Sequence, residues 1–405
     1  MSKQTESEIR DGGGGRTLAL LSLVVILTMT TWFSASAVIP QLRESWSLSD
    51  GQAAWLTVAV QLGFVAGALT SSVFNLSDVI APMRLLAIGA SGAALANIAI
   101  VVVDGPGAAI ALRAVTGFFL AGVYPSALKQ ASTWFRRSRG VALGVLVGAV
   151  TVGSAMPHLV NGLGGLDAEV VLVVTTTLTL TGAAIALLVR DGPYPFPRAV
   201  FDPRQIGRVF SNRGVRLACL GYFGHMWELY AMWAWFLLFF RTISDDPVGT
   251  APALATFAVI GIGGIGCFVG GLLGDRWGRT KTTATMMGIS AACCVMIGLL
   301  STTATALVFA VALVWGFSVV ADSAQFSTMV TEVANQAYVG TAVTLQLAVG
   351  FTLTVATIWL VPMWEEAFGW RWAFAFLAPG PLIGALVMLR LRSLPEARAI
   401  AGGRG

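Results

Sequence analysis

The chain has 405 residues, 56% of them hydrophobic and 11% charged, with a net charge of +5 and a mean hydropathy of +0.79. A soluble domain carries about a quarter charged residues, so this much apolar surface has no water-soluble core to hide in. Soluble enzymes and disordered regulators are excluded. So are nucleic-acid binders, because Lys and Arg sit in short hydrophilic breaks and not along one face.

In chain order, residues 1–16 are polar and glycine-rich and read as a disordered tail, not a cleaved signal peptide. Apolar runs of roughly 20 residues, the length that crosses a bilayer, follow at 17–40, 52–74, 83–103, 107–128, 140–162 and 169–190. After a break at 191–213 containing Pro193, Pro195 and Pro197, a second set lies at 216–240, 250–273, 282–301, 304–330, 337–361 and 371–391. The runs are too long for strands and are dotted with Gly and Ala, as close-packed membrane helices are. The expectation is an all-α membrane protein with twelve transmembrane helices. Two pseudo-symmetric six-helix bundles, at 17–190 and 214–391, are joined by a cytoplasmic linker at 191–213, with a cytoplasmic tail at 392–405. With both termini cytoplasmic, 21 of 25 Lys and Arg residues fall inside and Arg43, Arg241 and Arg371 outside. Two echoes support duplication. The segment at 139–144 resembles that at 339–344, and Asp78 between helices 2 and 3 matches Asp275 between helices 8 and 9.

The four cysteines, Cys219, Cys267, Cys293 and Cys294, lie inside apolar runs without metal-site spacing and read as core residues. No phosphate-binding loop, zinc spacing or nucleophile elbow is present. The expectation is a non-enzyme with no catalytic residues, no metal and no cofactor.

The loop Gly271-Leu-Leu-Gly-Asp275-Arg276-Trp-Gly278-Arg279 resembles the signature loop of the major facilitator superfamily. That resemblance implies a gate on the cytoplasmic side built from Gly271, Asp275, Arg276, Gly278 and Arg279. In the first half the gate keeps Asp78 but has Val79, Ala81 and Pro82 where the motif wants Arg, Gly and Arg. Arg113 in Arg-Ala-Val-Thr-Gly117 resembles a second signature of the superfamily. Tyr124-Pro125, with Trp134-Phe135, is similar to nitrate/nitrite and cyanate-type small-anion porters. Their anion-binding arginines in helices 2 and 8 have no counterpart here. The Gly-Pro run that marks many drug antiporters is also missing from helix 5.

Ionisable groups inside a span are costly and usually face a cavity or a partner. On helix 7, Tyr222, His225 and Glu228 recur every three residues and share a face. Glu228 beside His225 reads either as a proton carrier or as a structural pair. On helix 10, Trp315, Ser318, Asp322 and Gln325 form a polar-aromatic stripe, with Asp322 a third proton candidate or a tether. Arg113 reads as an anion holder or as a tie to backbone carbonyls. His158, Trp32, Gln61, Tyr124 and Gln346 complete the candidate cavity lining.

The resulting expectation is a proton-coupled secondary transporter for a small, in one reading anionic, solute. The alternative is proton-driven efflux of drugs or toxic metabolites. Its partners are the solute, protons and the lipid bilayer, with no nucleic acid. It is expected as a monomer in a bacterial cytoplasmic membrane, the bacterial source resting on 22 Arg against 3 Lys.

Overall fold

The computed structural model describes residues 13–135, 139–165, 167–194, 202–335 and 338–405. It is all-α. Eleven helices among the described residues are long and apolar enough to cross a membrane. They are α1 (Gly14–Thr31), α2 (Asp50–Val73), α3 (Pro82–Val102), α4 (Pro106–Ser132), α5 (Gly140–Leu163) and α6 (Ala168–Ala186), then α8 (Ala251–Trp277), α9 (Arg279–Leu299), α10 (Thr305–Val333), α11 (Val339–Phe368) and α12 (Trp370–Arg392). Between them α7 runs from Arg213 to Ile243. It falls short of the other eleven in hydropathy because His225 and Glu228, with Tyr and Trp residues around them, interrupt its apolar surface. The sequence expectation of twelve equivalent spans is therefore met by eleven.

Other expectations need local correction. Residues 1–12 lie outside the described residues, but α1 already starts at Gly14, inside the segment expected to be a disordered tail. Within the linker, 195–201 lie outside the described residues, and Ile206–Ser211 is helical. The tail at 392–405 is folded, with a 3-10 segment at Pro395–Gly403. The first apolar run predicts one continuous span from 17 to 40. Instead the helix stops at Thr31 and resumes as Ser34–Ala37 and Ile39–Trp46. A tertiary partner, Arg113, takes up the carbonyls that this break releases.

Helix α2 packs on α4, α3 on α4 and α6, and α1 on α5 and α6. In the second half α7 packs on α10, α11 and α12, while α9 joins α10 and α12. The two sets meet through α5 against α8 and α2 against α11. The α2–α4 seam needs glycine. A Cβ at Gly63 would fall 2.0 Å from the Ala114 carbonyl, and one at Gly117 would fall 2.0 Å from that of Val60. Backbones this close gain dispersion contact that no larger residue permits.

Candidate functional site

A cavity lies between α1, α2, α4, α5, α7, α10 and α11, with about 130 Å³ open to the centres of water-sized molecules. Its wall is aromatic. The Trp32 ring lies 5.0 Å from Phe64, 5.7 Å from Phe351 and 5.9 Å from Tyr230, and Phe64 lies 4.5 Å from Phe351. The polar lining comes from hydroxyls, notably Tyr124, Tyr222, Tyr230, Ser323 and Ser327, and no charged side chain lines it. Trp32 and Trp233 also face the cavity, and their indole N–H groups are buried without a partner among the described residues.

Of the residues expected to line a cavity, Trp32, Tyr124 and Tyr222 do so. Gln61 is fully buried outside the lining. Gln346 stands one layer behind, with its Oε1 accepting from Ser327 Oγ at 3.3 Å. His158 is buried with neither ring nitrogen partnered among the described residues, and it too is outside the lining. Sequence reasoning missed Tyr230, Trp233, Phe64 and Phe351. The α7 positions 222, 226, 230 and 233 fall on one helical stripe, which was the available signal.

Arg113 does not reach the cavity. Its Nη1 donates to the Thr31 carbonyl at 2.8 Å and to Ser34 Oγ at 3.2 Å, its Nε to the Leu56 carbonyl at 3.2 Å, and its Nη2 to the Trp32 carbonyl. The guanidinium thus satisfies backbone groups at the break after α1 and joins α1, α2 and α4.

The two intramembrane carboxylates occupy separate sites. Helix α10 bends at Asp322, and its Oδ1 lies 2.9 Å from His225 Nδ1, with both side chains at most 2% exposed. The His225 ring stacks beside that of cavity-lining Tyr222 at 6.0 Å, and its Nε2 has no partner among the described residues. Glu228 lies elsewhere. Its Oε1 accepts from Ser290 Oγ at 2.6 Å, Cys294 Sγ at 3.0 Å and Trp315 Nε1 at 2.5 Å. The expected Glu228–His225 pair is thus replaced by a His225–Asp322 pair and a Glu228–Trp315 cluster. Three residues along a helix leave an offset of about 60°, enough to aim neighbours on one face at different helices.

The signature loop joins α8 to α9. Arg279 Nε donates to both Glu332 oxygens at 3.1 Å, and its Nη1 donates to Gln325 Oε1 at 2.8 Å and lies 3.3 Å from Asp275 Oδ1. Gln325, expected in the cavity, therefore belongs to this cluster, as its second bond to the Gly270 carbonyl also shows. Gly278 has φ +94 and Gly271 packs on the backbone of Gly140. Arg276 is exposed and outside the cluster. Asp78 finds its cation in Lys129 of α4, at 2.5 Å, and not in its own loop. Asp275 presses on the first turn of α5, where a carboxylate is favoured. A Cβ at Gly140 would lie 2.6 Å from its Oδ1.

A Gly140→Val variant is therefore expected to push the α8–α9 loop off α5. Alkylation of Cys267, buried in the α5–α8 seam, should accelerate several-fold when followed by peptide mass spectrometry. Labelling at the wild-type rate would show that this contact does not hold the seam.

Comparison with known proteins fits this architecture. A puromycin resistance protein, pur8, of Streptomyces alboniger is 31% identical over 142 residues, which is 35% of this chain. The chain spans about a quarter of that relative's length, 27%. A crystal structure of a D-xylose–proton symporter superposes with a TM-score of 0.72 at 14% identity, covering 94% of this chain and 98% of that one. A bacterial homologue of the human lysosomal transporter Spinster, inward-facing and unoccupied, gives 0.66 at 15% identity, covering 96% and 98%. At such identities the likeness is one of fold. The profile of the Major Facilitator Superfamily matches residues 21–358, most of the chain. This chain, with eleven helices long and apolar enough to cross a membrane among its described residues, belongs to the major facilitator superfamily.

Proposed function

We propose that the chain is a proton-coupled secondary transporter for a small, uncharged solute with apolar or aromatic bulk and hydrogen-bond acceptors. The carrying observation is the cavity: aromatic walls, hydroxyls, two free indole donors and no ionised group. An uncharged solute keeps its acceptors satisfied there, whereas a small anion would lose its hydration without gaining a cation. Arg113, the cation that the small-anion reading needs, has its donors directed at carbonyls and Ser34. Proton coupling is assigned to His225 and Asp322, with Glu228 second, and the D-xylose–proton symporter shares the fold.

In this reading α7 is the twelfth span. The 24 residues at 217–240 lie between Arg216 and Arg241 and extend about 36 Å, enough for a bilayer. The six-helix halves at 17–190 and 214–391 then rock around the cavity, as a monomer in the bacterial cytoplasmic membrane with both termini inside. The Asp275–Arg279–Glu332 cluster and the Asp78–Lys129 pair act as the gate on that side. Outward transport is a second reading, favoured by the match to a puromycin resistance protein.

A ligand panel on the purified protein tests this. Uncharged aromatic compounds at 100 times their Kd are expected to raise stability by about 2.7 kcal/mol, with Trp32→Ala removing the gain. Nitrate or cyanate should give no shift. Stabilisation by those anions and by no uncharged compound would defeat the substrate class. Cells that accumulate less of the stabilising compound than controls would mark export, and cells that accumulate more would mark uptake.

A further inference from the structure

We infer that the end of α12 and the returning tail form a binding site for a phosphate-bearing anion. Helix α12 ends at Arg392, and Ser393 caps the turn by donating from Oγ to the Arg390 carbonyl at 2.8 Å. The tail is then anchored by Ile400, which is fully buried in the main apolar core. Left-handed Ala401, Gly402 and Gly403 turn the chain back. Ala401 N donates to Glu332 Oε2 at 3.2 Å, Thr280 N donates to the Gly405 carbonyl at 3.2 Å, and Arg404 donates to the Asp275 carbonyl. Gly278 leaves room for this return, since a Cβ there would lie 2.4 Å from the Arg404 carbonyl.

The fold-back borders an open hollow of about 420 Å³ lined by Arg392, Arg398 and Arg404, with Ser393, Gly403 and Gly405. No Asp or Glu side chain lines it. Of the nearby acids, Asp275 and Glu332 pair with Arg279, while Glu396 stands outside the lining with its Oε2 unpartnered among the described residues. Three arginines around one hollow with no acidic side chain in its wall leave it net positive, and like charges held together repel one another. A phosphate relieves that repulsion and fits the guanidinium fork with paired hydrogen bonds. Arginines at the end of a membrane helix also stand where anionic headgroups collect. The tail grips the carbonyl of Asp275 and the Arg279–Glu332 pair, so an anion bound here also steadies the α8–α9 loop.

The experiment measures melting of the full-length protein in nanodiscs of phosphatidylcholine, with and without phosphatidylglycerol, and separately with inorganic phosphate. Arg398→Ala removes an exposed pocket arginine that has no partner among the described residues, and Arg398→Lys restores the charge. Arg276→Ala removes an exposed arginine outside the pocket. Stabilisation of the wild type that is at least halved in Arg398→Ala, mostly recovered in Arg398→Lys and kept in Arg276→Ala supports the site. If phosphatidylglycerol alone stabilises, the ligand is a lipid headgroup. If inorganic phosphate does so equally well, it is a free anion. Three results overturn the site: no shift with either anion, an undiminished shift in Arg398→Ala, or equal losses in Arg398→Ala and Arg276→Ala.

Discussion

Asp322→Asn is expected to abolish accumulation of substrate against its gradient and to flatten its pH dependence, while exchange down the gradient survives. With His225 neutral and Asp322 ionised, the buried pair carries one negative charge. One proton on His225 brings the pair to neutrality with its 2.9 Å contact intact. A net charge is costly to enclose away from water, whereas a neutral pair is not. Closing of the cavity is thereby linked to proton loading. Asparagine leaves the unprotonated pair neutral, so the cavity closes without a proton. Exchange should fall by about tenfold or less, the equivalent of roughly 1.4 kcal/mol. Glu228→Gln supplies the contrast, because its Oε1 can still accept from Ser290, Cys294 and Trp315, and coupling should persist. Measuring accumulation and exchange in proteoliposomes separates the two. If Asp322→Asn still concentrates substrate and Glu228→Gln does not, Glu228 is the carrier.

The second large effect is expected on folding. Arg113→Leu keeps apolar volume but takes a donor from the buried Thr31, Trp32 and Leu56 carbonyls, of which Thr31 keeps Ser34 Oγ at 3.1 Å. It also unties Ser34, which passes the link on to Asn97 and, through Asn97 Nδ2, to the Leu172 carbonyl on α6. Each buried polar group left alone costs roughly 1–3 kcal/mol, so a loss of about 3 kcal/mol is expected. It should appear as a clear drop in melting temperature and yield. Arg113→Lys should recover part of it, because one ammonium cannot reach all four partners. A variant that melts like wild type but has lost binding of an anionic solute would make Arg113 a substrate contact after all.

The spans were legible because a run of roughly 20 apolar residues has few alternatives to a membrane helix. The breaks at Thr31 and Asp322 were not, since each is decided by a side chain far away in sequence, Arg113 in one case and His225 in the other. Pairing was misjudged on α7 for a related reason. A three-residue spacing says that His225 and Glu228 are neighbours on the helix, not that they share a partner. The contact of Lys129 with Asp78 spans 51 positions and leaves no local trace in the sequence. The aromatic wall was hidden by abundance. Phe64 and Phe351 are two of 22 phenylalanines, and ring content alone does not tell a cavity wall from a helix interface. Ile400 is one apolar residue in a polar tail, too little signal to announce a docked segment.

The aromatic wall has one more consequence. Trp32 follows α1 and Phe64 lies on α2, Tyr230 and Phe351 come from α7 and α11, and they rest ring against ring. Such contacts contribute about 0.5–1.5 kcal/mol per pair beyond burial. In the proposed transport cycle, walls that satisfy one another let the two halves close with no solute between them. Return without cargo is then expected to be unhindered, with net one-way flux in proteoliposomes at least as fast as one-for-one exchange. The same wall sets a lower size limit: a solute too small to part Phe64 from Phe351 leaves the rings closed and is not carried.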